Sequence, residues 1–319
     1  AGSSQETRLF ALSRRALDTR RATDYKDPRM LRRRRQLAVV LALGLAQGSC
    51  AGPNLWTDGT SVSTGLTSRG RIRRPAKLEL TGTGWLVPPK WKERGFQYGV
   101  EELVLALGRA AKAVRGKNKH VSVGIADLSP QRGGKSQWHS SHQSGRDVDI
   151  IFYSVDEQGK PLAPPENDMI RYDGEGKPYV RRGATYDDPQ WEARRFDTAR
   201  NWSLVEALLT DPEIRVQWVF VSQALEDRML EHATRHKKPR WLVEYARTVM
   251  YDPPDAPTHN DHFHVRIYCP RDDRFHGCVD RGVVWQHEKK TFKYGGPERY
   301  DPIVRRSLAV LPTVALGPG

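Results

Sequence analysis

An α+β fold, an antiparallel four-stranded sheet core with flanking helices, is what this 319-residue sequence predicts, and three features of its patterning predict it. Short segments of two-residue apolar alternation lie far apart along the chain. Four longer segments repeat their apolar residues at helical spacing. The two kinds follow one another irregularly, without the strict succession of strand and helix that builds a parallel sheet.

Taken in order, residues 52–97 are rich in Gly, Thr, Ser, Pro and Arg, with Trp85, Trp91 and Phe96 spaced along them, and read as an irregular N-terminal segment. Leu103, Val104, Leu107, Ala110, Ala111 and Val114 then predict an amphipathic helix over Val100 to Arg115. Val121 to Ile125 is a short strand, Gln131-Arg-Gly-Gly-Lys135 a loop by composition, and Asp147 to Tyr153 a second strand. Residues 156–196 are crowded with Pro, Gly and charge. So long a connection in a compact domain is usually functional, and it reads as a substrate-facing insertion. Helices are expected over Ser203 to Leu209, Leu225 to Thr234 and Trp241 to Met250, and strands over Trp218 to Ser222 and His262 to Tyr268. The domain spans 98–284, and 285–319 is a basic tail punctuated by Pro and Gly.

The formal charge of +14 raises nucleic acid as a partner, but its distribution argues against that. Residues 1–35 hold eleven Lys/Arg against four acids, half of the total. Met30 and a run of arginines precede the apolar stretch Leu37 to Ala46 and the small residues Gly48-Ser49-Cys50-Ala51. A basic region, a short apolar run and a small-residue exit describe a secretory signal peptide, and the run is too short to span a bilayer. Residues 1–51 are therefore expected to be an upstream segment plus signal peptide, with translation starting at Met30. In an oxidising compartment Cys269 and Cys278 are the expected disulfide. Cys50 stands where a lipoprotein cysteine stands, a candidate lipid anchor, although Gln47 fits that pattern poorly.

Five of the ten histidines fall in two short clusters, Trp138-His-Ser-Ser-His-Gln-Ser-Gly-Arg-Asp-Val-Asp149 and His259-Asn-Asp-His-Phe-His264. In an extended strand alternate side chains share a face, so His262 and His264 point one way while Phe263, Val265 and Ile267 point into the core. The same rule pairs Asp147 with Asp149. Alone, His-x-His on such a strand describes surface histidines as well as ligands, and Asp-Val-Asp says little. Together with the glycine at 145, which lets the chain turn sharply between His142 and Asp149, they point to a metal. Two imidazoles and a carboxylate suit catalytic zinc, which keeps a further position for water and makes that water a nucleophile near neutral pH. A further polar group must then carry its proton, and His262 is placed for that.

Ser140-Ser-His-Gln-Ser-Gly-Arg-Asp-Val-Asp-Ile150, preceded by His139 and the Gly133-Gly134 loop, with His259-x-x-His262-x-His264-Val-Arg and Cys269-Pro270, resembles the penicillin-insensitive murein endopeptidases. These belong to the clan of lysostaphin-like, D-Ala-D-Ala and hedgehog-type zinc domains. The resemblance implies Zn²⁺ held by His142, Asp149 and His264, with His139 as an additional ligand, His262 as catalytic base and His259 lining the site. It implies cleavage of the D-alanyl to meso-diaminopimelyl cross-bridge of peptidoglycan in the periplasm. A D-Ala-D-Ala carboxypeptidase or dipeptidase of the same clan is the alternative. It would need an arginine such as Arg132, Arg146 or Arg266 for the terminal carboxylate. A non-catalytic zinc-containing wall-binding domain is a third reading.

Overall fold

The computed structural model describes residues 61–117, 121–254 and 257–285. The stretch expected to be a signal peptide, with Met30 and Cys50, lies outside the described residues, as does nearly all of the C-terminal tail. The α+β class holds. The central sheet has four strands in the order Met250–Tyr251, Val216–Phe220, His262–Ile267, Asp147–Ile151.

That sheet is mixed, which corrects the antiparallel expectation. His262–Ile267 runs antiparallel to both of its neighbours, but Met250–Tyr251 runs parallel to Val216–Phe220. The reason is the connection between them. Helices Gln223–Arg235 and Arg240–Val249 cross over from one strand to the next, and such a crossover returns the chain in its original direction. The fourth strand is also not the one expected. Of Val121 to Ile125 only Val123–Gly124 is a strand, and it pairs with Trp85–Leu86 in a separate small sheet. Ile125 touches the central sheet through one bridge to Ile150.

The helices form where the apolar spacing places them, three of the four longer than expected. Glu101–Lys117 buries Leu103, Leu107, Ala110 and Val114 on one face. Thr198–Leu209 begins three residues after Arg195 because Asp197 caps it, its side chain accepting from the backbone N–H of Arg200 at 3.1 Å. Arg109 donates twice to Asp211 just beyond that helix, at 2.7 and 2.9 Å, tying the two helices together.

The segment read as irregular contains a regular hairpin. Val62–Leu66 pairs with Arg69–Arg73 in full register, and Pro89–Arg94 is a short helix. Little apolar signal marks the hairpin because only Val62 and Ile72 of its strands are buried hydrophobics. Its support is polar and distant in sequence: Gly65 donates to Gly277 at 2.8 Å, and Ser63 N–H donates to the Asp273 carboxylate at 2.7 Å. The expected disulfide between Cys269 and Cys278 is formed and closes the loop that carries both partners.

Candidate metal centre

Register places the two motifs opposite each other. His264 is the cross-strand partner of Asp149, and His262 of Ile151. Phe263, Val265, Val148 and Ile150 fill the core behind the strands, so alternation sends His262, His264, Asp147 and Asp149 to the other face. A second backbone strip covers the outer edge of the carboxylate strand: Asp149 N–H donates to Asp127 O, and Ala126 N–H to Asp149 O, both at 2.9 Å.

The loop before the carboxylate strand brings in the remaining histidines. His142 has φ +61, a left-handed conformation that side chains rarely adopt and that costs about 1–3 kcal/mol. Its own N–H donates to Asp147 at 3.1 Å, and Gln143 N–H donates to Thr67 O at 3.0 Å, so the surroundings hold it there. Gly145 has φ +75, as expected for a sharp turn, and a Cβ there would lie 2.5 Å from Ile72.

Four imidazoles converge on the Asp149 carboxylate. His142 Nε2, His264 Nδ1 and His262 Nε2 lie 3.3, 3.4 and 3.6 Å from its Oδ1, and His139 Nδ1 lies 3.7 Å from its Oδ2. In each ring the opposite nitrogen is fixed elsewhere. His142 Nδ1 meets the Leu128 carbonyl at 2.5 Å, His139 Nε2 meets Asp127 at 2.8 Å, His262 Nδ1 meets Asp261 at 2.6 Å and His264 Nε2 meets Asp147 at 3.1 Å. Rings anchored at one nitrogen and aimed with the other are the usual architecture around a metal ion.

Two atoms at the centre lack hydrogen bonds. His142 Nε2 and Asp149 Oδ1 are both buried without a partner in hydrogen-bonding geometry, although they stand 3.3 Å apart. Orphaned buried donors and acceptors are costly, and a cation between them satisfies both. His139, His142 and Asp149 offer ligand atoms within 4.8 Å of one another and could hold a metal ion. His264 brings a further nitrogen from the facing strand.

Electrostatics suit the same occupant. Burial opposes ionisation of Asp149, yet the His142 and His262 imidazoles hold its carboxyl well below the usual carboxylate range. Burial likewise works against a proton on His142, but Asp149 outweighs it and raises the imidazole to about 9. Burial dominates at His264, lowering it to about 4 despite its bond to Asp147. His259 is also lowered to about 4, by burial and by neighbouring His262 and His264. For His262 burial is outweighed by Asp149 and Asp261, which raise it. An ionised carboxylate surrounded by imidazoles is a site that attracts a cation, which would displace the proton from His142.

His259 stands apart from the carboxylate. It stacks on Phe220 at 5.6 Å and faces His262 and His264 at 5.3 and 5.8 Å, so it flanks the cluster. Its buried Nδ1 has no partner. Among the clustered rings His139 and His262 are the more exposed, their side chains each retaining 18% of their surface, so solvent reaches the cluster from their side.

The outer partners Asp127, Asp147 and Asp261 and the Leu128 carbonyl were not assigned from sequence. Asp147 and Asp261 sit inside the two motifs, and an acid beside a ligating histidine is the signal that could have found them. Asp127 lies twelve residues ahead of the histidine it anchors and carries no such mark. The insertion is tied to the same neighbourhood. Arg171 pairs with Asp261 at 3.2 Å, Tyr172 N–H donates to Asn260 O at 2.8 Å, and the Tyr179 hydroxyl meets the Asn260 amide.

The family described as penicillin-insensitive murein endopeptidase matches residues 63–289. The chain belongs to that family. Two relatives bear the same name. One from Haemophilus influenzae is 25% identical over 240 residues, covering 72% of this chain and 74% of the relative. One from Klebsiella pneumoniae is 26% identical over 221 residues, covering 66% and 68%. The match takes in both histidine clusters, the disulfide and nearly all of the N-terminal hairpin.

Proposed function

We propose that this member of the murein endopeptidase family is a zinc-dependent enzyme that hydrolyses the D-alanyl to meso-diaminopimelyl cross-bridge of peptidoglycan in the periplasm. The carrying observation is the convergence of four singly anchored imidazoles on the one carboxylate of Asp149. His142, Asp149 and His264 would hold the ion, with His139 as an additional ligand and His259 lining the site. An ion there supplies Lewis acidity, polarising the scissile carbonyl and making water acidic enough to attack near neutral pH.

His262 is the base. Its Nδ1 is fixed by Asp261 at 2.6 Å, and its Nε2 stands 3.6 Å from Asp149 Oδ1 with the side chain retaining part of its surface. It takes the attacking water's proton and delivers it to the departing amine of the diaminopimelyl residue. No serine is acylated on this route, so a β-lactam has no nucleophile to trap.

The carboxypeptidase reading needs a free arginine for a terminal carboxylate. Arg146 is buried and donates to Asp280 at 2.8 Å, and Arg266 donates to Asp147 at 2.6 Å, so two of the three candidates are committed elsewhere. Arg132 is left as the one candidate, and the family match is what favours the endopeptidase. Among the described residues no helix is long and apolar enough to cross a membrane.

Cross-linked muropeptide dimers incubated with the purified protein should yield monomers, stop doing so with EDTA and resume on adding zinc. His262→Ala should keep its zinc and lose at least about 100-fold in kcat. Intact dimers in the presence of the zinc-loaded protein would refute the activity, and full turnover by the variant would refute the role of His262.

A further inference from the structure

Across the metal-bearing loop from the histidines, the hairpin Val62–Arg73 and the Gly133-Gly134 turn enclose an open groove of about 570 Å³. Its charged lining is Arg69, Arg71 and Lys135, with no acidic residue among the lining side chains. The strand pattern explains the arginines. Ile72 is buried, so Arg69 and Arg71, at odd-numbered positions, share the outward face.

Glycine makes the floor. A Cβ on Gly133 would lie 2.1 Å from the Gln143 carbonyl oxygen, and one on Gly70 would lie 2.3 Å from the Leu66 oxygen and 2.7 Å from Ser144 Cβ. The hairpin, the turn and the metal loop can therefore approach only as bare backbone. They are stitched together there: Gly134 N–H donates to Gln143 O at 2.9 Å, Gln143 N–H to Thr67 O at 3.0 Å and Ile72 N–H to Arg132 O at 3.2 Å. One wall of the groove, Gln143, is thus the immediate neighbour of His142.

Three cations line one groove with no acid among them, and such a lining attracts an anion. Guanidinium groups match the planar, two-oxygen geometry of a carboxylate. The cross-linked wall peptide supplies such groups, because its stem peptides carry free carboxylates along their length as well as beside the bridge. We propose that this groove is a subsite for the carboxylates of the wall's stem peptides, gripping the substrate beside the metal loop. The proposal rests on the endopeptidase reading for its choice of peptide and on the groove itself for its anion chemistry.

The decisive variant is Arg69→Ala/Arg71→Ala. Both side chains are exposed, so the fold should be unaffected. KM for the muropeptide dimer should rise about tenfold or more with kcat within about twofold and zinc content unchanged, the signature of lost ground-state binding. Added NaCl should raise KM for the wild type more than for the variant. Arg69→Lys/Arg71→Lys should restore part of the loss, and Arg73→Ala, outside the lining, should change nothing. Dimers with amidated carboxylates should bind the wild type as weakly as native dimers bind the variant. An unchanged KM in the double variant would overturn the proposal, as would millimolar inorganic phosphate displacing the peptide while amidation made no difference, which would assign the groove to a phosphate-bearing polymer. Calorimetric binding of the muropeptide monomer separates the two readings. Groove-dependent binding without any cleavage would sink the endopeptidase alone; cleavage with unaltered KM in the double variant would sink the groove alone.

Discussion

The histidine cluster and the hairpin groove flank the same short loop and hold polar side chains in opposite ways. In the cluster every imidazole is anchored at one nitrogen and aimed with the other, and the two central atoms are buried. In the groove the arginines project from a rigid backbone floor into solvent. Chemistry on an amide needs atoms placed within fractions of an ångström, and burial with outer hydrogen bonds supplies that. Gripping a polymer with scattered carboxylates needs charge at roughly the right place and tolerates mobile side chains. The contrast predicts where substitutions abolish the reaction and where they only weaken it.

The largest effect is expected at the common target of the four rings. Asp149→Ala removes the carboxylate that all four share, so on the proposed mechanism zinc binding should be lost and activity should fall at least about 1,000-fold. Metal analysis beside dimer turnover checks both. Stoichiometric zinc with normal turnover in this variant would break the distinction between the two regions at its root.

The cluster was legible in sequence and the groove was not, for a physical reason. His262 and His264 alternate with Phe263 and Val265, and Asp149 alternates with Val148 and Ile150, so periodicity put these two imidazoles and this carboxylate on the face opposite a core. The bend at Gly145 was equally readable, since only a glycine makes that turn cheaply. The hairpin has no comparable apolar rhythm. Its partners are backbone groups near residues 132, 143 and 277 and the carboxylate of Asp273, contacts made across the chain that no local pattern encodes. The parallel strand Met250–Tyr251 was missed for another reason: two residues are too few to show alternation, and a helix period runs straight into them.

A smaller effect tests the outer shell. Asp261 links His262 Nδ1 to Arg171 of the insertion, at 2.6 and 3.2 Å. Asp261→Asn keeps the shape but removes the charge that orients the ring and stabilises its protonated form, so kcat should fall about 10–100-fold with zinc retained. The acidic limb of the pH–rate profile should move to lower pH, because the carboxylate is one cause of the raised His262 value. An unshifted limb with unchanged kcat would mean that Asp261 only braces the insertion.

The smallest effect separates burial from anchoring. Glu226, 5% exposed on helix Gln223–Arg235, is buried like Asp149 but lacks its ring of imidazoles. Burial, with Asp227 adding repulsion, pushes its carboxyl up to about 7 from 4.5. An acid raised by folding keeps its proton longer in the native state than in the unfolded chain. Stability is therefore unpenalised below about pH 4.5, falls as pH rises towards 7, and stays reduced above it. Glu226→Gln removes the titrating group. It should leave stability near pH 4.5 almost unchanged and increase it at pH 8 by about 1–3 kcal/mol, read by denaturant melts of the zinc-loaded protein at both values. Activity at neutral pH should not move, because Glu226 makes no contact in the cluster. A variant equally shifted at both pH values would show that the effect comes from packing rather than from the ionisation of Glu226.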